Sequence, residues 1–191
     1  MAERKTLSRQ RARNILNTAA KRTVIVTGDA MLDQFLWGNV SRISPEAPVP
    51  VCRVTDETAM LGGAGNVVRN LCSLGANPRF VTVIGKDRAG KEVAREIRKQ
   101  GVKEAPIIEP GRMTSTKTRY LAGVQQVLRA DRETALPLPR KTETRLIRAA
   151  IVAMRGCKVV VLSDYGKGVL SAGGAQKIIR AAKKAKRAVI V

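Results

Sequence analysis

Histidine is absent from all 191 residues, which excludes a His-based catalytic triad or a histidine metal site. Any chemistry must rest on carboxylates, lysine, arginine, tyrosine and backbone N–H groups. Aromatic residues are scarce at 3%, so Val, Ile, Leu and Ala have to fill the core. The three cysteines, Cys52, Cys72 and Cys157, are far apart and lack C-x-x-C spacing. That argues against a disulfide framework or zinc site and for reduced, mostly buried thiols in a cytoplasm. No apolar run approaches the roughly 20 residues of a membrane span, and the basic N-terminus lacks the apolar stretch of a secretion signal. A cytoplasmic protein with no membrane span is expected.

Acidic residues are few as well. Fifteen Asp and Glu face 36 Lys and Arg, a formal charge of +21, and such a field draws anions, from phosphorylated metabolites to nucleic acid. The basic residues are spread along the chain, concentrating only from Arg4 to Arg22 and from Lys177 to Arg187. Neither stretch is interleaved with the aromatics of a single-strand-binding platform, so nucleic acid stands behind small anions as a partner. With 44% hydrophobic and 27% charged residues, the chain is that of a soluble globular protein with one core-bearing domain.

Residues 1–22 read as a basic N-terminal arm, a short helix or a disordered segment, and the globular part runs from 23 to 191. Thr23 to Thr27 is a β-branched run ending at Gly28, a buried strand. Prolines 45, 48 and 50 break up residues 34–58, which suggests short edge strands. Helical spacing covers Gly63 to Leu74, closed by Gly75 and Pro78, and again Ala89 to Lys99, closed by Gly101. Between them Phe80 to Ile84 reads as a strand, and residues 113–132 as a hairpin about Ala122-Gly123. Arg140 to Met154 and Ala172 to Lys186 are predicted helices, and Val159 to Ser163 and Ala188 to Val191 strands. This alternation predicts an α/β fold with a largely parallel sheet. Segments 34–58 and 113–132 are expected to form a small accessory sheet, with ligands bound at the carboxyl ends of the main strands.

Several side chains are candidates for that crevice. Asp33, read as lying in a loop after the first strand, can accept hydrogen bonds from two sugar hydroxyls; from spacing alone a helix cap or surface charge is the preferred reading. The run Gly62-Gly63-Ala64-Gly65-Asn66 opens a helix, where glycines admit a ligand to backbone N–H groups and Asn66 offers a donor and an acceptor. It is neither a P-loop nor a G-x-G-x-x-G fingerprint. Lys117 and Arg119 share one face of an extended strand, which suits either a phosphate or a solvated basic edge. Asp131-Arg132-Glu133 reads as a charged hairpin end. Asp164 and Lys167, in S-D-Y-G-K-G directly after a buried strand, are read as functional.

Taken in order, these motifs resemble the ribokinase (PfkB-type) carbohydrate kinase family. The stretches that carry the resemblance include G-D-A-M-L-D (28–33), S-R-I-S-P-E-A-P-V-P-V (41–51), G-G-A-G-N-V (62–67), T-K-T-R-Y (116–120), Q-Q-V-L-R-A-D-R-E (125–133) and L-S-D-Y-G-K-G-V-L (162–170). S-R-I-S-P-E-A-P-V-P and S-D-Y-G-K-G are similar above all to the heptose 7-phosphate kinase group of that family. Gly65 departs from the usual second alanine of G-G-A-A-N. The resemblance implies a doubly wound, mainly parallel α/β domain, with a β lid built from segments 34–58 and 113–132 that can also serve as a homodimer interface. It implies ATP- and Mg²⁺-dependent phosphorylation of a sugar phosphate at its anomeric hydroxyl. Asp33, Gly62, Gly63, Asn66 and Asp164 would hold the sugar, with Lys117, Arg119 and Lys167 at its phosphate or in lid contacts. Relatives continue past Val191, where their nucleotide pocket, anion hole and catalytic Asp lie. By this resemblance the chain is the N-terminal portion of the fold, with no catalytic residue of its own, no tightly bound ATP or Mg²⁺, and no turnover alone. Another sugar or nucleoside kinase of the family, a basic nucleic-acid-binding module and a non-catalytic interaction module remain as alternatives.

Overall fold

The computed structural model describes residues 7–20 and 22–191; positions 1–6 and 21 of the N-terminal arm lie outside the described residues. Within that arm, Ser8 caps a helix, α1 (Arg9–Ala19), by accepting the Arg11 N–H on its hydroxyl, and the helix has no buried residue.

The main sheet has four parallel strands in the order β10 (Ala188–Ile190), β9 (Val159–Ser163), β1 (Thr23–Gly28) and β4 (Asn77–Val81). Its central strands β1 and β9 are rich in β-branched residues because both faces are covered. On one side Ile25, Val160 and Leu162 pack with Leu146 of α4 (Arg140–Ala153) and Ile178 of α5 (Ala172–Lys184). On the other, Val26 and Phe80 pack with Val68 of α2 (Ala64–Ser73) and with Val93 and Ile97 of α3 (Arg88–Lys99). Period-two alternation along β1 thus sends adjacent side chains into two separate cores.

A second four-stranded sheet has the order β3-β2-β7-β8. Its members are β2 (Ala30–Ile43), β3 (Pro50–Gly63), β7 (Ser115–Ala122) and β8 (Gln125–Arg132). β2 is antiparallel to β3, parallel to β7, and β7 is antiparallel to β8. The short edge strands expected in 34–58 are instead two 14-residue strands. Pro45 and Pro48 fall in the connecting turn and Pro50 at the first position of the edge strand β3, places where no ladder N–H is lost.

The strand expected over 80–84 is divided into β4 and β5 (Val83–Gly85), and β5 pairs with a short β6 (Ile107–Glu109) that the sequence did not suggest. Thr82 lies at the break. Its buried hydroxyl donates to the Gly28 carbonyl at 2.7 Å and accepts the Ala30 N–H at 3.3 Å, spanning the turn from the main sheet into the second sheet.

Asp87 performs a similar junction role. It caps α3 through Oδ1, which accepts the Gly90 N–H at 2.7 Å, while Oδ2 accepts the Thr114 N–H at 2.8 Å ahead of β7. Burial pushes its carboxyl up, but the hydrogen bonds from Thr114 and Gly90 outweigh this and leave it below its ordinary 3.8. Asp87→Ala is expected to cost about 1–2 kcal/mol in urea unfolding at pH 7. Because the folded-state value is depressed, this contribution is present above the ordinary carboxylate value and is lost as pH falls through the folded one. The wild type and variant should therefore converge in acid; a constant gap down to pH 2 would contradict the assignment.

Candidate functional site

The carboxyl ends of β1 and β9 lie side by side, Gly28 opposite Ser163, and the residues that follow each strand are joined by one buried carboxylate. Asp29, 1% exposed, accepts the N–H groups of Tyr165 (2.7 Å) and Lys167 (3.1 Å) on Oδ2 and that of Val169 (3.1 Å) on Oδ1. Its own carbonyl accepts the Ala64 N–H at 2.9 Å, at the start of α2. A carboxylate that collects three main-chain donors fixes the course of a loop, here the 164–169 segment. Arg112, 8% exposed, closes the same loop from the other side. Its guanidinium donates to the carbonyls of Leu136 (3.1 Å), Thr134 (3.2 Å) and Lys167. Burial pulls its basicity down, partly offset by the carboxylates of Asp29 and Glu109.

Asp33 stands in β2, four residues beyond this hub, and is neither in a loop nor a helix cap. Arg119 Nη1 donates to its Oδ1 at 2.7 Å, and the guanidinium also lies over the Phe35 ring at 5.1 Å from the centroid. Oδ2 lies against Gly62: a Cβ added there would fall 2.2 Å from it. Gly63 takes φ +57°, and a Cβ there would meet the Asp29 carbonyl oxygen at 2.4 Å. The glycine pair is thus required by close approach to two aspartates and by a left-handed turn into α2. Asn66, on the first turn of α2, is exposed and accepts from Arg69 at 3.4 Å.

Asp33 pairs in register with Lys117 of β7, and Lys117 with Asp131 of β8. Lys117 Nζ lies 2.8 Å from Asp131 Oδ2 and 3.9 Å from Glu133 Oε2. Lys167, from the loop held by Asp29 and Arg112, reaches Glu133 Oε1 at 2.8 Å. The hydrogen bond from Lys117 holds the Asp131 carboxyl below its ordinary value. Asp164 is exposed and accepts the Gly166 N–H at 2.9 Å, a local turn.

The structure therefore joins Asp33, Gly62 and Arg119 in one contact set and Lys117 and Lys167 in another through Glu133. Asn66 and Asp164 contact only their own helix or loop. Asp131-Arg132-Glu133 stands at the open end of the β7–β8 hairpin, whose turn is at Gly123 and Val124, and both acids there meet the lysines. Arg112, which closes the loop, was not among the residues singled out for the site, and Asp29, placed at the crevice by its position after the first strand, is buried as the anchor of that loop. Among the described residues no group of three His, Cys, Asp or Glu side chains converges as a metal cage, and no helix is long and apolar enough to cross a membrane.

This architecture is that of the ribokinase-like sugar kinases. Phosphofructokinase-2 from Escherichia coli, solved with substrates and products, matches with a TM-score of 0.68 at 18% identity, over 88% of this chain and 52% of that one. A carbohydrate kinase from Agrobacterium tumefaciens matches at 0.61 and 20% identity, over 88% and 52%. In sequence, residues 21–190 match the pfkB family of carbohydrate kinases, and the chain belongs to that family. It is 52% identical over 169 residues to the bifunctional protein HldE of Paramagnetospirillum magneticum, 88% of this chain and 35% of that protein. It is 49% identical to that of Acidiphilium cryptum, over 90% and 36%. The chain thus spans about a third of the length of these relatives and half that of the solved kinases.

Proposed function

We propose that this chain carries the acceptor-binding half of a kinase for D-glycero-β-D-manno-heptose 7-phosphate, acting at the anomeric hydroxyl in the synthesis of ADP-heptose for lipopolysaccharide core. The reading is carried by the row Asp33–Lys117–Asp131, which crosses the second sheet in register and faces Lys167 through Glu133. A hydroxyl-binding carboxylate and two ammonium groups, held on rigid strands and an anchored loop, suit an acceptor with hydroxyls at one end and a phosphate at the other. Arg119 orients Asp33 by its 2.7 Å contact, and Gly62 lets the Asp33 carboxylate pack against the main chain ahead of α2.

Kinases of this family use ATP, which supplies the transferred phosphoryl group, together with Mg²⁺, which neutralises charge on its phosphates. Phosphoryl transfer depends mostly on positioning and charge stabilisation, and on this reading the chain's own residues bind and orient the acceptor. The second sheet serves as a lid, and its exposed Val127 and Leu128 are the natural contacts for a homodimer.

Calorimetric titration with heptose 7-phosphate, fructose 6-phosphate, ribose and adenosine tests the assignment. Saturable binding of the heptose phosphate at least tenfold tighter than of the others supports it. A preference for fructose 6-phosphate or for a nucleoside would move the chain to another branch of the family. Failure of a folded sample to bind any of them would remove the acceptor-site reading.

A further inference from the structure

Glu133 lies between a cation of the second sheet and a cation of the 164–169 loop. Oε1 meets Lys167 at 2.8 Å and Oε2 lies 3.9 Å from Lys117. Both lysine side chains retain only 18% of their exposure. Lys167 is immobilised at its backbone, since its N–H is held by Asp29 and its carbonyl by Arg112. A carboxylate with one oxygen toward each of two fixed ammonium groups lies where a bridging phosphate would lie. Acids are outnumbered by 36 to 15 in this chain, yet two of them, Asp131 and Glu133, meet here.

Charge counting sharpens the point. Asp131 is contacted by both Lys117 (2.8 Å) and Arg129 (2.9 Å). Lys117, Lys167 and Arg129 carry three positive charges against the single negative charge of Asp131. The surplus of two equals the charge of a phosphate dianion. With Glu133 seated, the surplus falls to one and no dianion is matched.

We propose that Glu133 is an internal counter-anion seated in the phosphate subsite between Lys117 and Lys167, which an incoming phosphate must displace, and that it thereby sets a lower affinity of that subsite for phosphate. The inference rests on the sugar-phosphate reading above. A dianion outcompetes the carboxylate for both ammonium groups, and Glu133, one residue past the end of β8, swings to solvent.

The test is calorimetric titration of inorganic phosphate, at fixed ionic strength, into the wild-type chain, Glu133→Gln, Glu133→Gln with Lys167→Met, and Glu46→Gln as a charge-matched control in the exposed β2–β3 turn. Folding of each is checked by circular dichroism. Glu133→Gln should bind phosphate at least tenfold tighter than the wild type, the added Lys167→Met should abolish that gain, and Glu46→Gln should match the wild type. No gain in Glu133→Gln, or an equal gain in Glu46→Gln, overturns the proposal. Inorganic phosphate carries no sugar hydroxyls, so this result is independent of Asp33. Heptose phosphate binding without the Glu133→Gln gain would sink this inference alone, and the gain without heptose phosphate binding would sink the acceptor reading alone.

Discussion

Asp29→Asn is expected to destabilise the chain by about 3 kcal/mol, and Asp29→Ala by about 3–5 kcal/mol, the range for stripping one partner from a buried, hydrogen-bonded charge. The carboxylate is 1% exposed and accepts three main-chain N–H groups of the 164–169 loop. Asparagine keeps the shape, but it turns an NH₂ toward donors, so at least one N–H loses its acceptor. Arg112 is left buried with one carboxylate fewer beside it. A loss of this size is a large fraction of the roughly 5–15 kcal/mol that stabilises a typical domain, so the alanine variant should unfold at a much lower urea concentration than the wild type. Urea unfolding followed by circular dichroism measures the asparagine variant. A change below about 1 kcal/mol would mean that the loop is held by other contacts, since this lies under the usual range for hydrogen bonds to a charged group.

The second large effect is expected at Gly62. A single methyl group there would sit 2.2 Å from Asp33 Oδ2 and 2.9 Å from the Met31 side chain. Met31 is buried at 2% exposure and has little room to yield. The carboxylate of Asp33, 19% exposed, is the more mobile neighbour. It must rotate away, breaking the 2.7 Å contact with Arg119 and turning from the face it shares with Lys117. Gly62→Ala should weaken heptose 7-phosphate binding about 100-fold, matching the loss of a charged hydrogen-bond acceptor of about 3 kcal/mol. Stability should fall far less than in the Asp29 variants. Paired calorimetry and thermal melts separate the two effects, and unchanged affinity would show that Asp33 is not held in place by the glycine.

The parallel core was readable because β1 and β9 are rich in β-branched residues and the helices between the strands have clear apolar faces and glycine stops. The second sheet was readable as two segments but not as long strands, since prolines that fall in its turn look the same in sequence as prolines inside a strand. The acids facing Lys117 were hidden by register. Continuing the pairing Ala122–Gln125 at the turn would place Ala130 opposite Lys117. An irregularity between Tyr120 and Leu121 shifts the ladder by one residue and brings Asp131 there instead. Such a shift exchanges which residues meet on a face, and no composition signal announces it. Asp29 and Asp33 are four residues apart in one motif and differ in role only because the 164–169 loop, more than a hundred residues downstream in sequence, closes over the first and not the second.

The central claim is that Asp33 and its neighbours form an acceptor site for a sugar phosphate. It is tested most directly by calorimetric titration of heptose 7-phosphate into the wild-type chain and Asp33→Ala at moderate salt, without nucleotide. The account predicts saturable one-site binding by the wild type and none by a variant whose circular dichroism is unchanged. Equal binding by both, or no binding by a folded wild type, would contradict it.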